Sequence, residues 1–390
     1  MNLEERCYEN TARVLDAFAK HRLSESHFLS VTGYGHNDLG REATDEIFAE
    51  VFQAEAALVR LQFVSGTHTI SCALRACLQA GDTLVSLTGA PYDTLEEVIG
   101  KRGDSPMSLT AQGIHYQEGG SVESAKAVFI QRSRGYSLRP SLTIADLKTM
   151  IDQVRQVNPS AIVIVDNCYG EFVETQEPTA VGADLIVGSL IKNPGGGIVP
   201  TGGYIAGRKD LVEAAADALT APGIGAKGGY TFEMTRTIMQ GLYFAPSVVK
   251  EALKGMRLMG KTFQELGYPV FPRVEEPQAD IIQVIQLGSA EKVLAFCKAL
   301  QSVSPVDAHL TPIPMVTPGY ADPVVMAGGT FIFGSTIELS CDAPMREPYS
   351  VFLQGGLTYS HTRYALSKIL ELLNEPQGFA QELFVGADQF

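Results

Sequence analysis

The chain has 390 residues, enough for two domains and a large core, with 45% hydrophobic and 19% charged residues. Its formal net charge of −14 repels nucleic-acid phosphates and anionic membranes, so neither is an expected partner. The six cysteines (Cys7, Cys72, Cys77, Cys168, Cys297, Cys341) form no CxxC pair, the first residues carry no apolar signal core, and no run reaches the ~20 apolar residues of a membrane span, which leads us to expect no disulfide framework, no metal site and a cytoplasmic location.

Residues 1–45 read as an N-terminal arm. Apolar spacing near 3.6 predicts a helix over 3–18, followed by a loop, Gly33-Tyr34-Gly35-His36-Asn37-Asp38, and a second helix over 41–52. Strand and helix then alternate. Strands are predicted over 57–64, 82–87, 127–130, 161–165 and 183–190, with a further one, parallel or antiparallel, over 203–206. Helices are predicted over 68–80, 92–99, 144–157 and 211–219. Continuous apolar strands between amphipathic helices are the mark of a mostly parallel sheet covered on both faces. This predicts a large α/β domain over 46–250. The glycine-rich stretch 222–230 reads as a loop near the site. Beyond it come a long helix over 248–266, strands over 281–287 and 331–339, and helices over 292–301 and 364–373. These predict a smaller C-terminal α+β domain over 251–390.

Two residues at strand ends carry the chemistry. Asp166 ends one predicted strand, in Asp166-Asn167-Cys168-Tyr169-Gly170. Lys192 stands just past the next, in Ser189-Leu190-Ile191-Lys192-Asn193-Pro194-Gly195-Gly196-Gly197. Both lie on the rim where open α/β sheets bind cofactors. An amine able to form a Schiff base and a carboxylate able to hold a pyridinium proton are what a pyridoxal 5′-phosphate (PLP) site requires. Ser65-Gly66-Thr67 opens the helix after an earlier strand. Its free N–H groups and the positive helix end suit a phosphate, though an ordinary helix cap uses the same residues. The Ser189 hydroxyl is a second phosphate donor. Tyr92, at the next strand-to-helix junction, is placed to stack on a flat ring or to pack as a helix-entry residue. In this reading Lys192 forms the internal aldimine, is displaced by the substrate amine and then acts as the base at Cα. A substrate carboxylate calls for an arginine. Arg346, in a proline-flanked loop past a predicted strand, is preferred to Arg363; a surface salt bridge is its other reading.

These four features in this order resemble the fold-type-I PLP enzymes, and among them the cystathionine and methionine lyases of Cys/Met metabolism. The stretches Gly33 to Arg41, Val64-Ser65-Gly66-Thr67-His68, Asp166 to Phe172, Leu190 to Gly197 and Gln354-Gly355-Gly356-Leu357-Thr358-Tyr359-Ser360-His361 are similar to the aluminium-resistance branch, described as carbon–sulfur lyases. The resemblance spans about 30 to 375. It implies that Ser65, Gly66, Thr67 and Ser189 hold phosphate, Tyr92 stacks on the ring, Asp166 with Asn167 and Tyr169 serves its nitrogen, and Lys192 carries the aldimine. It also implies a homodimer or homotetramer in which the arm reaches the neighbour's phosphate. The better-known lyases carry Tyr-x-Arg there; this chain has Tyr34-Gly35-His36, leaving His36 or Arg41 to supply the charge. They also have Thr before the aldimine lysine, where this chain has Ile191. The implied activity is elimination of a thiol from a cysteine- or homocysteine-derived amino acid. The alternatives are an aminotransferase or decarboxylase on the same fold, or a PLP-binding regulator without turnover.

Overall fold

The structure is a computed structural model that describes residues 2–375 except 30, 318, 319 and 321. Residues 376–390 of the expected C-terminal domain lie outside the described residues. In chain order the elements are α1 (Leu3–Lys20), α2 (Leu39–Val51), β1 (Ala56–Arg60), α3 (Gly66–Cys77), β2 (Thr83–Ser86), α4 (Asp93–Ile99), β3 (His115–Glu118), β4 (Ala127–Gln131), α5 (Ile144–Val157), β5 (Ile162–Asp166), β6 (Leu185–Ser189), β7 (Gly203–Gly207) and α6 (Lys209–Leu219). They continue with α7 (Thr235–Glu265), β8 (Val270–Phe271), β9 (Ile282–Gln286), α8 (Ala290–Ser302), β10 (Val324–Ala327), β11 (Ser340–Pro344), β12 (Ser350–Gln354) and α9 (Tyr359–Leu372).

Seven strands form one mixed sheet in the order β1-β7-β6-β5-β4-β2-β3. Strand β7 runs antiparallel to both β1 and β6, and the other neighbours pair in parallel. Alternate residues of each strand point to opposite faces, and both faces are covered. Val163 and Val165 of β5 pack on the side of α2, α5 and α7, while Ile162 and Ile164 pack on the side of α3 and α6. That is why these strands are apolar at every position, and why the α/β class is legible in them. The second sheet is antiparallel, in the order β10-β11-β12-β9-β8, with α8, α9 and part of α7 on its core face.

Helix α7 is the main departure from expectation. It begins at Thr235, well before residue 248, and it contains Pro246. Proline and glycine ordinarily end a helical pattern. Here Gly241 serves packing: a Cβ on it would lie 2.4 Å from the Gly195 carbonyl oxygen, and one on Gly196 would lie 2.4 Å from the Gly241 carbonyl oxygen. The helix therefore crosses directly on the loop that follows Lys192. Gly241→Ala should cost about 1–3 kcal/mol of stability through this overlap, read as a lower thermal midpoint; an unchanged midpoint would show that the contact does not fix the loop.

Residues 331–339 do not form the expected strand. The Glu338 carboxylate accepts the N–H groups of Phe331 and Ile332, each at 2.9 Å, which folds the segment back on itself. Phe331 and Phe333 point outward, Phe333 being 97% exposed, so the apolar alternation there marks a surface loop. Strand pairing starts only at Ser340. The polar edge strand β3 and the short strands β8, β10 and β12 were not expected from sequence. Helix α1 lies on its own chain: Glu4 pairs with Lys250 and Lys254 of α7, and the Asn10 amide donates to the Phe172 carbonyl. No helix among the described residues is long and apolar enough to cross a membrane.

Candidate active site

The carboxyl ends of β4, β5 and β6, the N-terminus of α3 and the inner edge of the small sheet enclose a cavity of about 400 Å3. Of the sequence-predicted residues, Ser65, Gly66, Thr67, Tyr92, Asp166, Tyr169, Ser189 and Lys192 all line it. This is the rim on which the ends of parallel strands bind ligands.

Helix α3 starts there because Ser65 caps it, its Oγ accepting the His68 N–H at 3.1 Å. Among the described residues no hydrogen bond engages the N–H of Gly66 or Thr67, and both residues face the cavity. Two free donors at the positive end of a twelve-residue helix make an anion cradle. The Thr67 hydroxyl meets the Tyr92 hydroxyl and Thr94 Oγ1, each at 3.0 Å. Tyr92 is held from behind as well, its N–H donating to Gln131 Oε1 at 3.1 Å. Burial, followed by Asp166, pushes the Tyr92 phenol well above its usual range, so it stays a neutral donor and ring. The Ser189 hydroxyl donates to the Gly202 carbonyl at 3.3 Å.

Asp166 ends β5 and is buried. Its Oδ1 accepts the Cys168 N–H at 3.1 Å. Burial raises its carboxyl pKa; the bonds from Cys168 and the charge of Lys192 oppose this. Asn167 turns away from the cavity, accepting from Arg132 at 2.8 Å and donating to Glu177 at 2.9 Å. Tyr169 takes φ +70°, a left-handed conformation rare for a bulky residue. That turn sets its phenol against Lys192. The Lys192 ammonium donates to Tyr169 Oη at 2.6 Å and to the Ser335 carbonyl at 2.8 Å, and sits 3.9 Å from the centre of the Tyr169 ring. Burial alone would lower the Lys192 pKa, but Tyr169, Cys168 and Asp166 outweigh it and hold the amine at about 12. Burial likewise lifts the Tyr169 phenol to about 12, against the pull of Lys192.

A half-buried amine, a buried carboxylate and an anion cradle sharing one cavity fit PLP. Gly66 and Thr67 suit its phosphate, Asp166 its ring nitrogen, Tyr92 its ring face and Lys192 its aldehyde carbon.

Three expected residues are not brought to this cavity by the chain itself. Arg346 lies in the turn between β11 and β12, beyond the paired residues Asp342 and Phe352 that face the cavity. It donates to Asp322 at 2.7 Å on the surface, so the expected carboxylate contact is replaced by a surface ion pair. The other candidate, Arg363, lies on α9 beside the Tyr359 ring. Tyr34 is 83% exposed, and His36 faces the Lys227 carbonyl at 3.2 Å. Both border a separate surface hollow with Gly228 and Gly229. Arg41 is tied down beneath them, donating to the carbonyls of Gly35, Lys227 and Gly229. Sequence reasoning missed Gln131, Ser335, Tyr136, Tyr320 and Asp342 as cavity residues. Ser335 acts on Lys192 through its backbone carbonyl, which no side-chain pattern announces.

Comparison with known proteins gives a consistent result. The family model for methionine gamma-lyase matches residues 1–374. The uncharacterized protein YnbB of Bacillus subtilis is 45% identical over 391 residues, covering 96% of this chain and 93% of that protein. A solved structure from Clostridium novyi, described as a carbon–sulfur lyase involved in aluminium resistance, is 45% identical with a TM-score of 0.90, covering 95% of this chain and 91% of that one. One from Listeria monocytogenes, named as a candidate cystathionine beta-lyase involved in aluminium resistance, is 46% identical with a TM-score of 0.91, covering 95% of both chains. With residues 1–374 matched, this chain belongs to the methionine gamma-lyase family.

Proposed function

We propose that the protein is a PLP-dependent carbon–sulfur lyase, bound to its cofactor through Lys192, that eliminates a thiol from a cysteine- or homocysteine-derived amino acid. The observation that carries this reading is the joint exposure of the Lys192 amine and the Asp166 carboxylate to one cavity roofed by the free N–H groups of α3. The neighbours named as lyases support the reaction class, and their link to aluminium resistance is part of the same proposal.

When bound, PLP supplies an electron sink for the pair left at the substrate Cα. The protein's own groups do the rest. Gly66 and Thr67 would anchor its phosphate, Asp166 would serve the ring nitrogen, and Tyr92 would pack against the ring. As the neutral amine, Lys192 would take the Cα proton, with the Tyr169 phenol and the Ser335 carbonyl positioning its nitrogen. Where the sulfur is on Cβ, the carbon–sulfur bond then breaks; where it is on Cγ, a Cβ proton is removed first; in both cases the sulfur leaves with its electron pair as a thiolate that is protonated to the thiol. Overall, amino acid and water become thiol, 2-oxo acid and ammonia. Incubating holo-protein with a panel of sulfur amino acids tests this. Thiol and 2-oxo acid should appear in equal amounts without an amino acceptor. A need for an acceptor identifies an aminotransferase, carbon dioxide release a decarboxylase, and no product at all a regulator.

We also propose a homodimer, or a dimer of dimers, in which Tyr34 of one subunit serves the phosphate site of the other. Its exposure and its absence from the chain's own cavity support this. Tyr34→Phe should lower activity about tenfold or more, by loss of a hydrogen bond to a charged group. Mixing it with inactive Lys192→Ala subunits should then restore roughly a quarter of wild-type activity, the yield of intact sites from random pairing of two-fold dimers. Confirmed mixed dimers whose activity merely averages the two parents would rule out shared sites.

A further inference from the structure

The turn that follows Asp166 and carries Tyr169 is strained, and two side chains outside the cavity hold it. It contains two left-handed residues that are not glycine, Tyr169 at φ +70° and Phe172 at φ +62°. Such residues keep this conformation only where their surroundings enforce it. Arg132 and Glu177 are both fully buried and neither lines the cavity. Arg132 donates to Asn167 Oδ1 at 2.8 Å and to the Gly170 carbonyl at 2.9 Å. Glu177 spans the turn: its Oε2 accepts the Asn167 amide at 2.9 Å and its Oε1 the Phe172 N–H at 3.0 Å. One carboxylate therefore fixes both ends of residues 167–172.

Glu177 is paired in its turn with Arg13 of α1 at 3.5 Å and lies 4.0 Å from Arg132. A buried carboxylate keeps its charge only with such partners. The same helix touches the end of the turn, where the Asn10 amide donates to the Phe172 carbonyl at 2.9 Å. The consequence reaches Lys192 through Tyr169, whose hydroxyl accepts from the amine at 2.6 Å. Burial would lower the Lys192 pKa, and Tyr169 is foremost among the neighbours that outweigh it.

Resting on the reading of Lys192 and Asp166 as the pair that holds the cofactor, we infer that Glu177 is a positioning residue. It fixes the turn behind Asp166 and sets the Tyr169 phenol against Lys192, and its ion pair with Arg13 makes the seating of α1 part of that control.

Three variants test this. Glu177→Gln keeps the shape but offers one acceptor in place of two, so either the Asn167 amide or the Phe172 N–H meets an amide N–H. Arg13→Gln leaves both bonds and removes the charge behind them. Glu4→Gln is the control: it unties the start of α1 from Lys250 and Lys254 without touching the turn. In each apoprotein, with folding checked by circular dichroism, acetylation of Lys192 by acetic anhydride is followed against pH by peptide mapping. Thiol release by the holoenzyme is measured separately. Glu177→Gln should move the Lys192 profile down by about one pH unit, which is about tenfold faster labelling at a fixed pH below the profile's midpoint. Arg13→Gln should move it the same way by less, and Glu4→Gln should leave it in place. An unmoved profile in Glu177→Gln or in Arg13→Gln overturns the inference, as does an equal shift in Glu4→Gln, since that is a general loosening of α1. Should Glu177→Gln not fold, Arg13→Gln against Glu4→Gln decides alone. The expected shifts without thiol release from the wild type would sink the lyase reading and leave the role of Glu177 standing.

Discussion

Replacing Lys192 with alanine should lower kcat by about 10⁴-fold or more, because in the proposed mechanism this one side chain both attaches the cofactor and moves the Cα proton. No other lysine or arginine among the described residues lines the cavity, so no neighbour can take over. The purified variant should also lose the cofactor's covalent link while retaining fold, since the rest of the cavity wall is built by other strands. Two acceptors, Tyr169 Oη and the Ser335 carbonyl, lose their donor, and a local loss of about 1–3 kcal/mol is expected from that. Circular dichroism separates the two effects: an unchanged spectrum with absent turnover assigns the loss to chemistry. Activity within tenfold of wild type would remove Lys192 from the mechanism.

Asp166→Ala should lower activity by about 10²- to 10⁴-fold while the cofactor stays bound, because Lys192 and the α3 cradle are untouched. In the proposed reaction the buried carboxylate would keep the ring nitrogen protonated, and without it the electron sink would fail. Asp166→Asn sharpens the test by keeping an acceptor for the Cys168 N–H while removing the charge. The same change has a titration signature in the apoprotein. Asp166 is one of the anionic neighbours that hold Lys192 at about 12, so its removal should move the amine's titration downward. Near-normal turnover in either variant, or an unmoved Lys192 titration, would contradict the assigned role.

The parts of the molecule most legible in the sequence are those where local pattern and tertiary environment agree. Strands β5 and β6 are buried on both faces, so their uninterrupted apolar runs announce the sheet, and the residues at their ends fall on its rim by geometry alone. The same logic places Ser65 and Gly66, because a capping serine marks where α3 starts. Where tertiary packing overrides local preference, the sequence misleads. Gly241 and Pro246 look like breakers yet sit inside α7, since the helix needs a residue without a side chain to lie against Gly195 and Gly196. Phe331 and Phe333 alternate like a strand yet face solvent, because Glu338 captures the backbone of that loop. Arg346 followed from the need for a carboxylate partner, but the β11–β12 pairing carries it past the cavity to Asp322. Asp342 and Tyr136 meet only through folding: 206 positions separate them, and neither belongs to a local pattern.

The most direct measurement is borohydride reduction of the purified holo-protein followed by peptide mapping. The expected result is a single phosphopyridoxyl adduct, on the peptide that carries Lys192. An adduct on Lys227 or any other lysine, or no adduct on a protein that holds the cofactor, would contradict the assignment of Lys192 as the group that binds PLP.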